Sequence, residues 1–296
     1  MSGVRRSWRR PWRRPVAAAG WGESTFAEQA WGRSRGAGRR WALGGAALGA
    51  LGAVVLFAPA AWLAQAVADA TGQRLVLADA RGTVWAGSAV VVLTGGPGSR
   101  DAASLPGRLD WTLGLRGLAF ELRARQACCL NGTVALQVQP GLGRLTTRLV
   151  AAPGWTGQWP SAWLGGLGVP FNTLQLGGIV RLVSPGLEVE SVQGRWRING
   201  SADVQLDRIA SRLSTLDTLG SYSLRLNGDP SAGGAQLQLS TREGALQLSG
   251  NGSWSTAGLR FRGEARADSD ADAPALANLL NIIGRRQGAR SVISIG

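Results

Sequence analysis

Apolar and polar residues alternate with a period of two through much of the chain after residue 72. The alternation is clearest in five segments, residues 118–124, 134–139, 222–227, 236–240 and 259–265. Because successive side chains of a strand point to opposite faces, this pattern gives each strand one apolar and one polar face. Such faces are typical of antiparallel sheets, in which one side packs and the other meets water. We therefore predict a mainly β domain built on an extended or curled antiparallel sheet.

Asn-Gly pairs lie among these segments and begin at Asn131, Asn199, Asn227 and Asn251. Asn-Gly supplies the positive φ that tight hairpin turns require, so the pattern predicts a turn at each pair. The pairs at 131, 199 and 251 also match the sequence of an N-glycosylation acceptor. We prefer the turn interpretation.

Two short helices are expected to interrupt the strands. Residues 160–167 begin with proline, which is favoured at the first position of a helix. Residues 270–284 have acids near their start and a glycine followed by two arginines at their end. One apolar stripe runs along this second segment, formed by Leu276, Leu279, Leu280 and Ile283. The stripe indicates packing against the core, and residues 291–295 could form the last strand.

Residues 41–68 contain no charged side chain and follow a basic flank of four arginines, Arg33, Arg35, Arg39 and Arg40. About 20 apolar residues cross a bilayer core, so we predict a single transmembrane helix here. The positive-inside rule then places the N-terminus in the cytoplasm and exports a β-rich domain over 69–296. Ala58-Pro59-Ala60 resembles a signal-peptide cleavage site, but the preceding 40 residues are far longer than an ordinary signal n-region. An uncleaved anchor is therefore the preferred interpretation.

The charge of the chain is concentrated in its leader, residues 1–40. All 32 basic residues are arginines, and the leader holds ten of them with two glutamates. Its prolines and arginine-tryptophan pattern predict disorder, with attraction to anionic lipid as an addition. The rest of the chain shows neither a basic helix nor a basic-aromatic repeat, so nucleic-acid binding is not expected.

The sequence has no histidine. Ser-His-Asp triads, Cys-His pairs and imidazole metal sites are therefore excluded. A G-x-S-x-G string at residues 32–36 has no strand before it and no histidine partner. No pair of carboxylates is distinguished by its spacing, so we predict a protein that is not an enzyme and needs no cofactor or metal.

Cys128 and Cys129 are the only cysteines, and they are adjacent. In an oxidising compartment three states remain open: a bond to each other, bonds to another chain, or buried thiols. The more specific hypothesis is a redox role for the pair. The simpler hypothesis is that the cysteines are two small residues in a strand that leads to the turn at Asn131. We prefer the structural interpretation.

The stretch Ala80-Arg-Gly-Thr-Val-Trp-Ala-Gly87 lies shortly after the uncharged run. Gly82 and Gly87 can provide turns or close backbone approach, Thr83 favours a strand, and Trp85 offers a large apolar surface. We predict a first hairpin that closes one end of the sheet near the membrane, with a docking surface as the functional alternative. Other tryptophans also have either a structural or a docking role. Trp111 is expected in the core, whereas Trp155 and Trp159 could be exposed and bind a partner.

The order of several short segments resembles protein N of the bacterial type II secretion system. The similar segments cover residues 59–63, 80–87, 105–111, 164–174, 219–222, 241–250 and 283–286. The leader lies outside this resemblance, which spans about residues 58–296.

The resemblance implies a single-pass protein of the cell inner membrane with its C-terminal domain in the periplasm. It implies an accessory or scaffold role in exporting folded proteins across the outer membrane, with other inner-membrane components of the machinery and membrane lipid as partners. The family provides no catalytic residue to carry over. The alternative function is handling of lipid or another hydrophobic ligand, because a curled sheet with one apolar face could form a groove. The oligomeric state stays open.

Overall fold

The computed structural model describes residues 25–150, 153–193, 195–229 and 233–296, with side chains from residue 41 onwards. The chain divides into two units, Met1–Val55 and Leu56–Gly296. Disorder was predicted for the leader, residues 1–40. Helix α1 spans Thr25–Leu56 and so includes residues 25–40 of the leader, whereas residues 1–24 lie outside the described residues.

The segment predicted as one membrane helix forms parts of two helices. After α1, the chain passes through Phe57 and Ala58 to helix α2, which spans Ala60–Ala70. Pro59 explains the break, because it has no backbone N–H and disfavours helical geometry in the residue before it. Among the described residues, no helix combines the length and the apolar character that crossing a bilayer requires. The membrane anchor stays a prediction.

The second unit is one antiparallel sheet of 16 strands. The first eight strands are β1 (Leu75–Gly82), β2 (Ala86–Thr94), β3 (Ala102–Ser104), β4 (Leu109–Arg116), β5 (Ala119–Arg125), β6 (Thr133–Gly141), β7 (Arg144–Leu149) and β8 (Gly157–Pro160). The others are β9 (Leu176–Val192), β10 (Arg195–Ser211), β11 (Gly220–Asp229), β12 (Gly234–Glu243), β13 (Leu246–Ser255), β14 (Gly258–Ala267), β15 (Arg285–Gln287) and β16 (Arg290–Ile295).

The strands pair almost entirely with their neighbours in the chain. Their order is β1-β2-β4-β5-β6-β7-β9-β10-β11-β12-β13-β14-β16-β15, with β3 on β2 and β8 on β9. In the described part of the chain β1 and β15 do not pair with each other, so the sheet is open. The predicted mainly β, antiparallel fold is confirmed.

The register explains the period-two pattern. Five leucines from five strands stand opposite one another in one row, Leu113, Leu122, Leu136, Leu149 and Leu187. Further along, Leu224 and Leu226 of β11 face Leu239 and Leu237 of β12. We call this side of the sheet the apolar face and the opposite side the polar face.

Short helices pack on the apolar face. A 3₁₀-helix, η1 (Ser161–Leu167), and helix α3 (Phe171–Leu174) lie between β8 and β9, and α4 (Ala273–Ile283) follows β14. Both predicted helical segments are therefore present. Leu276, Leu279 and Leu280 of α4 are buried against Tyr222 and neighbouring residues, as the apolar stripe predicted. A second core cluster lies under α2 and includes Ala60, Leu77, Val91 and Trp111.

Three of the four Asn-Gly turn predictions are wrong. The Asn-Gly pairs at 199, 227 and 251 lie inside β10, β11 and β13. Glycine is needed there because the neighbouring backbone is close: a Cβ on Gly228 would lie 2.3 Å from the Ile198 carbonyl oxygen, and one on Gly252 would lie 2.5 Å from that of Arg260. Such close approach is a common reason for glycine in a strand.

Candidate functional site

The hairpin between β1 and β2 is formed by the glycine-threonine-tryptophan stretch. Gly82 pairs with Gly87, and the Thr83 amide donates a hydrogen bond to the Ala86 carbonyl at 2.8 Å. The Thr83 hydroxyl in turn accepts a hydrogen bond from the Ala86 amide at 3.1 Å. Gly82 has a φ of +88°, which a glycine adopts without strain. The predicted first hairpin is present, and these residues shape its turn.

Trp111 lies directly behind this turn with 4% of its surface exposed. Its indole Nε1 donates a hydrogen bond to the Val84 carbonyl at 3.1 Å. A Cβ on Gly87 would come within 2.6 Å of the indole Cζ2 atom, so the ring fits only against glycine. The Leu113 amide also donates to the Trp85 carbonyl at 2.7 Å. Trp111 is thus a core residue, as expected, and Trp85 is partly buried.

The same turn holds the start of the second unit. The Val84 amide donates a hydrogen bond to the Ala58 carbonyl at 2.9 Å, and Pro59 forms an isolated β-bridge with Thr83. Ala58 is buried. The hairpin therefore fixes the chain just before α2. The sequence carries no signal for this contact, because it is made by backbone groups 26 residues apart.

Arg108 is a connecting residue that the sequence analysis missed. Its guanidinium donates to the Asp79 carboxylate and to the Ser88 hydroxyl, at 2.8 and 3.0 Å. Hydrogen bonds from Arg81, and then from Arg108, hold the pKa of Asp79 below its usual value. This network joins β1 and β2 to the turn that precedes β4.

Glu121 lies on the polar face of β5 and is buried. Its carboxylate accepts hydrogen bonds from the Gln137 amide at 3.0 Å, Arg116 at 3.1 Å and Arg123 at 2.6 Å. These donors stabilise the charged form and lower the pKa of Glu121 to about 2. Glu121 therefore has a structural role that joins three strands.

Cys128 and Cys129 are bonded to each other, with 3.7 Å between their Cα atoms. Of the three open states, the structure shows the vicinal disulfide. Cys129 is buried, and its carbonyl accepts a hydrogen bond from the Gln158 amide at 2.8 Å. Asn131 donates from its side chain to the Trp155 carbonyl at 2.9 Å. The disulfide loop thus positions the segment that enters β8.

Trp155 and Trp159 are both partly buried. Trp159 stacks on Trp163, with ring centroids 6.2 Å apart and planes 27° apart. Trp159 also packs against the core cluster that contains Trp111 and Cys129. The structure therefore brings three of the residues selected from the sequence into one cluster beneath α2. Trp163 belongs to the same cluster through this stack.

No group of three potential metal ligands is present among the described residues. A cavity of about 860 Å³ lies between the loop before β3, η1, α3 and the loop after β10. Its charged lining residues include Asp101, which accepts a hydrogen bond from Asn172 at 3.0 Å. No motif in the sequence indicates this cavity.

The part of the apolar face beyond the helices carries large exposed side chains. Leu115, Leu145, Trp196, Trp254, Leu259 and Ile295, which we call the rim residues, are all at least two-fifths exposed. They come from six different strands and lie towards the hairpin tips. The register places Leu145 and Trp196 opposite Ser191, and Trp254 opposite Leu259. Exposed apolar surface on this scale is unusual in a monomeric soluble domain and indicates an interaction.

A comparison with family models matches residues 73–293 to the type II secretion system (T2SS), protein N. The chain belongs to this family. A search of curated proteins found no match, and a search of solved structures found none either.

The part that matches protein N coincides with the sheet. It begins two residues before β1 and ends within β16. The hairpin, the disulfide loop, the cluster beneath α2 and the rim residues all lie within it or next to it, whereas α1 and α2 precede it. Membership connects the chain with type II secretion and with the bacterial envelope.

Proposed function

We propose that the protein is an accessory or scaffold component of the type II secretion machinery. Its uncharged segment, residues 41–68, anchors it in the inner membrane, and the sheet acts in the periplasm through contact with other inner-membrane components. The family match over residues 73–293 carries the proposal, because it covers nearly the whole sheet domain.

The contact between the first hairpin and the chain before α2 supports this arrangement. The Val84–Ala58 hydrogen bond and the Pro59–Thr83 bridge fix the sheet to the segment where the anchor would leave the bilayer. The hairpin would therefore lie close to the membrane surface, where other inner-membrane components are accessible. Ala86, at the turn, is exposed.

Site-specific photo-crosslinking in intact secreting cells tests the proposal. A photoreactive residue at Ala86 should capture an inner-membrane component of the secretion machinery. The same residue at Gln238, which is exposed on the polar face of β12, serves as the control and should capture it much less. Unchanged secretion and assembly after deletion of the chain, or a C-terminal reporter found in the cytoplasm, would contradict the proposal.

Handling of a hydrophobic ligand is a second candidate function. The exposed rim residues favour it, because they extend an apolar face that the helices cover only in part. The test is native mass spectrometry of the full chain after mild detergent extraction. A bound hydrophobic compound of defined mass supports this function, and a protein that carries none contradicts it.

A further inference from the structure

Burial changes along single strands of the apolar face. In β14, Ala265 is 0% exposed beneath α4, Phe261 is partly buried, and Leu259 is 42% exposed. In β11, Tyr222 is 2% exposed, whereas Leu224 and Leu226 are partly exposed. Because these side chains share one face, the difference arises from what covers them. The helices cover one end of the strands and leave the other end open.

The open part extends over several neighbouring strands on each side of β10, where Ile198 and Ala202 of the same face are buried. The row from Leu113 to Leu187 is partly exposed throughout, and the next row towards the tips contains Leu115, Phe120 and Val138. On the far side the pairs Leu226–Leu237 and Phe261–Ile295 continue the surface. The sheet therefore presents exposed apolar rows on both sides of β10, which together we call the strip, rather than isolated apolar residues.

Within the strands that the structure describes, no charged side chain lies on the strip. In β4, β5, β11 and β14 the register places arginines and acids on the polar face, as with Glu121 beside Leu122 and Arg225 beside Leu226. Phe261 lies flat over strand glycines, since a Cβ on Gly250 would meet its ring at 2.5 Å. Such a surface offers few hydrogen bonds to a partner, and its natural complement is hydrocarbon.

The hairpin tips beside the strip are basic. Arg116 ends β4, and Arg144 and Arg195 begin β7 and β10, where both pair with Val192. Glu121 binds Arg116, and an acid of β9 binds Arg144 at 3.0 Å. Among the described residues, Arg195 has no acidic side chain within ion-pair distance.

The rim tryptophans fit the boundary between these two chemistries. Trp196 follows Arg195 in β10 and is about half exposed, and so is Trp254. Tryptophan is favoured where hydrocarbon meets a polar head group. Because successive side chains of a strand point to opposite faces, Trp196 faces the strip and Arg195 lies on the polar face at the same tip, at the edge where the head group of a bound phospholipid would leave the strip.

We propose that the open part of the apolar face binds the acyl chains of an anionic diacyl phospholipid, with the phosphate at the tips near Arg195. This inference rests on the second candidate function and names its ligand. A protein partner or a second copy of the chain is less suited, because specific protein interfaces carry a polar rim and several direct hydrogen bonds. Over its width the strip offers few direct hydrogen bonds, because most of its side chains are apolar.

Two adjacent residues of β11 provide a matched test. Leu226→Glu places a carboxylate on the strip, whereas Asn227→Glu adds the same charge to the exposed polar face one residue later. The full chain and both variants are purified in mild detergent with added phosphatidylglycerol, and the bound lipid is quantified by native mass spectrometry. The wild type and Asn227→Glu should bind it equally, and Leu226→Glu should bind about tenfold less, because a charge cannot be buried unpaired.

A second measurement covers the case in which Leu226→Glu does not fold. Phosphatidylglycerol with brominated acyl chains quenches tryptophans that touch the chains. The double variant Trp196→Phe, Trp254→Phe should lose part of the quenching of the wild type, whereas Trp111→Phe, in the covered cluster, should not. In the same assay Arg195→Gln should reduce the preference for phosphatidylglycerol over phosphatidylcholine.

The outcomes separate the inference from the functions proposed above. Equal lipid binding by all three chains, or quenching that does not depend on Trp196 and Trp254, overturns the inference. A bound hydrophobic compound other than a phospholipid overturns it as well but supports the second candidate function. A lipid-free dimer in which a second copy covers the strip also overturns the inference. The role in secretion is tested independently by the deletion and crosslinking experiments.

Discussion

Leu276 and Leu115 allow the covered and the open parts of the apolar face to be compared by one substitution. Leu276 lies in α4 and is 0% exposed, in the cluster that holds Tyr222 and Leu246. Leu115 lies near the tip of β4 and is 69% exposed. Each is replaced by alanine, so the chemical change is identical and only the surroundings differ.

The expected costs differ severalfold. Leu→Ala at a fully buried site lowers the free energy of unfolding by about 2–5 kcal/mol, because transfer and cavity terms add. For a domain the size of Leu56–Gly296, a loss of about 3 kcal/mol lowers the Tm by roughly 6–12 °C. Leu115 buries only about a third of its side chain, so Leu115→Ala should cost less than about 1 kcal/mol.

Thermal unfolding of the full chain in mild detergent, followed by circular dichroism of the sheet, measures both changes. Leu118→Ala, at an even more exposed turn position, serves as the control and should leave the Tm unchanged. Equal losses for Leu276→Ala and Leu115→Ala would refute the idea that the helices cover one end only. A larger cost for Leu115→Ala when phosphatidylglycerol is present would indicate that lipid has covered the strip.

Three further predictions concern the polar network, the first hairpin and the C-terminal core. Because the pKa of Glu121 is lower in the folded than in the unfolded protein, its ionised carboxylate stabilises the fold above about pH 4.3, and this stabilisation is lost as the pH falls towards 2. The difference in Tm between the wild type and Glu121→Gln should therefore narrow over that range. A difference in Tm that does not depend on pH would contradict this prediction. Gly87→Val should destabilise the hairpin by about 1–3 kcal/mol, whereas Gly114→Val, with open space around it, should be neutral in the same urea titration. Tyr222→Phe removes the 3.0 Å hydrogen bond to the Leu246 carbonyl and should cost about 1–2 kcal/mol; an unchanged urea midpoint would show that water replaces the hydroxyl.

The sheet could be predicted from the sequence because its information is local. Alternation in single segments, such as residues 222–227, is enough to identify a strand with one apolar face. The stripe on α4 is equally local, since Leu276, Leu279 and Leu280 lie on one side of any helix. The order of strands then follows from the short connections, which make chain neighbours pair.

The candidate site was harder to predict because it depends on contacts between distant backbone groups. The Val84–Ala58 hydrogen bond has no side-chain signature, and neither has the Gln158–Cys129 contact. The Asn-Gly pairs misled because glycine serves close packing in a strand as well as turns, and one sequence cannot distinguish the two. The open part of the apolar face could not be predicted either. Alternation shows which residues share a face of the sheet, but it does not show which elements cover that face.

The strand order also has a consequence for how the chain acquires its structure. Nearly every strand from β1 to β14 pairs with the strand made just before it. A polypeptide that emerges N-terminus first, from a ribosome or a translocation channel, therefore has a partner strand already formed for most new strands; β8 is an exception, because it pairs with β9. Because the loops that connect paired strands are short, we expect the strands to add rapidly and in sequence, starting from β1. Unpaired strand edges are then exposed to aggregation only briefly. The cluster around α4 is completed late, because α4 packs against β14 and against the two final strands, β15 and β16.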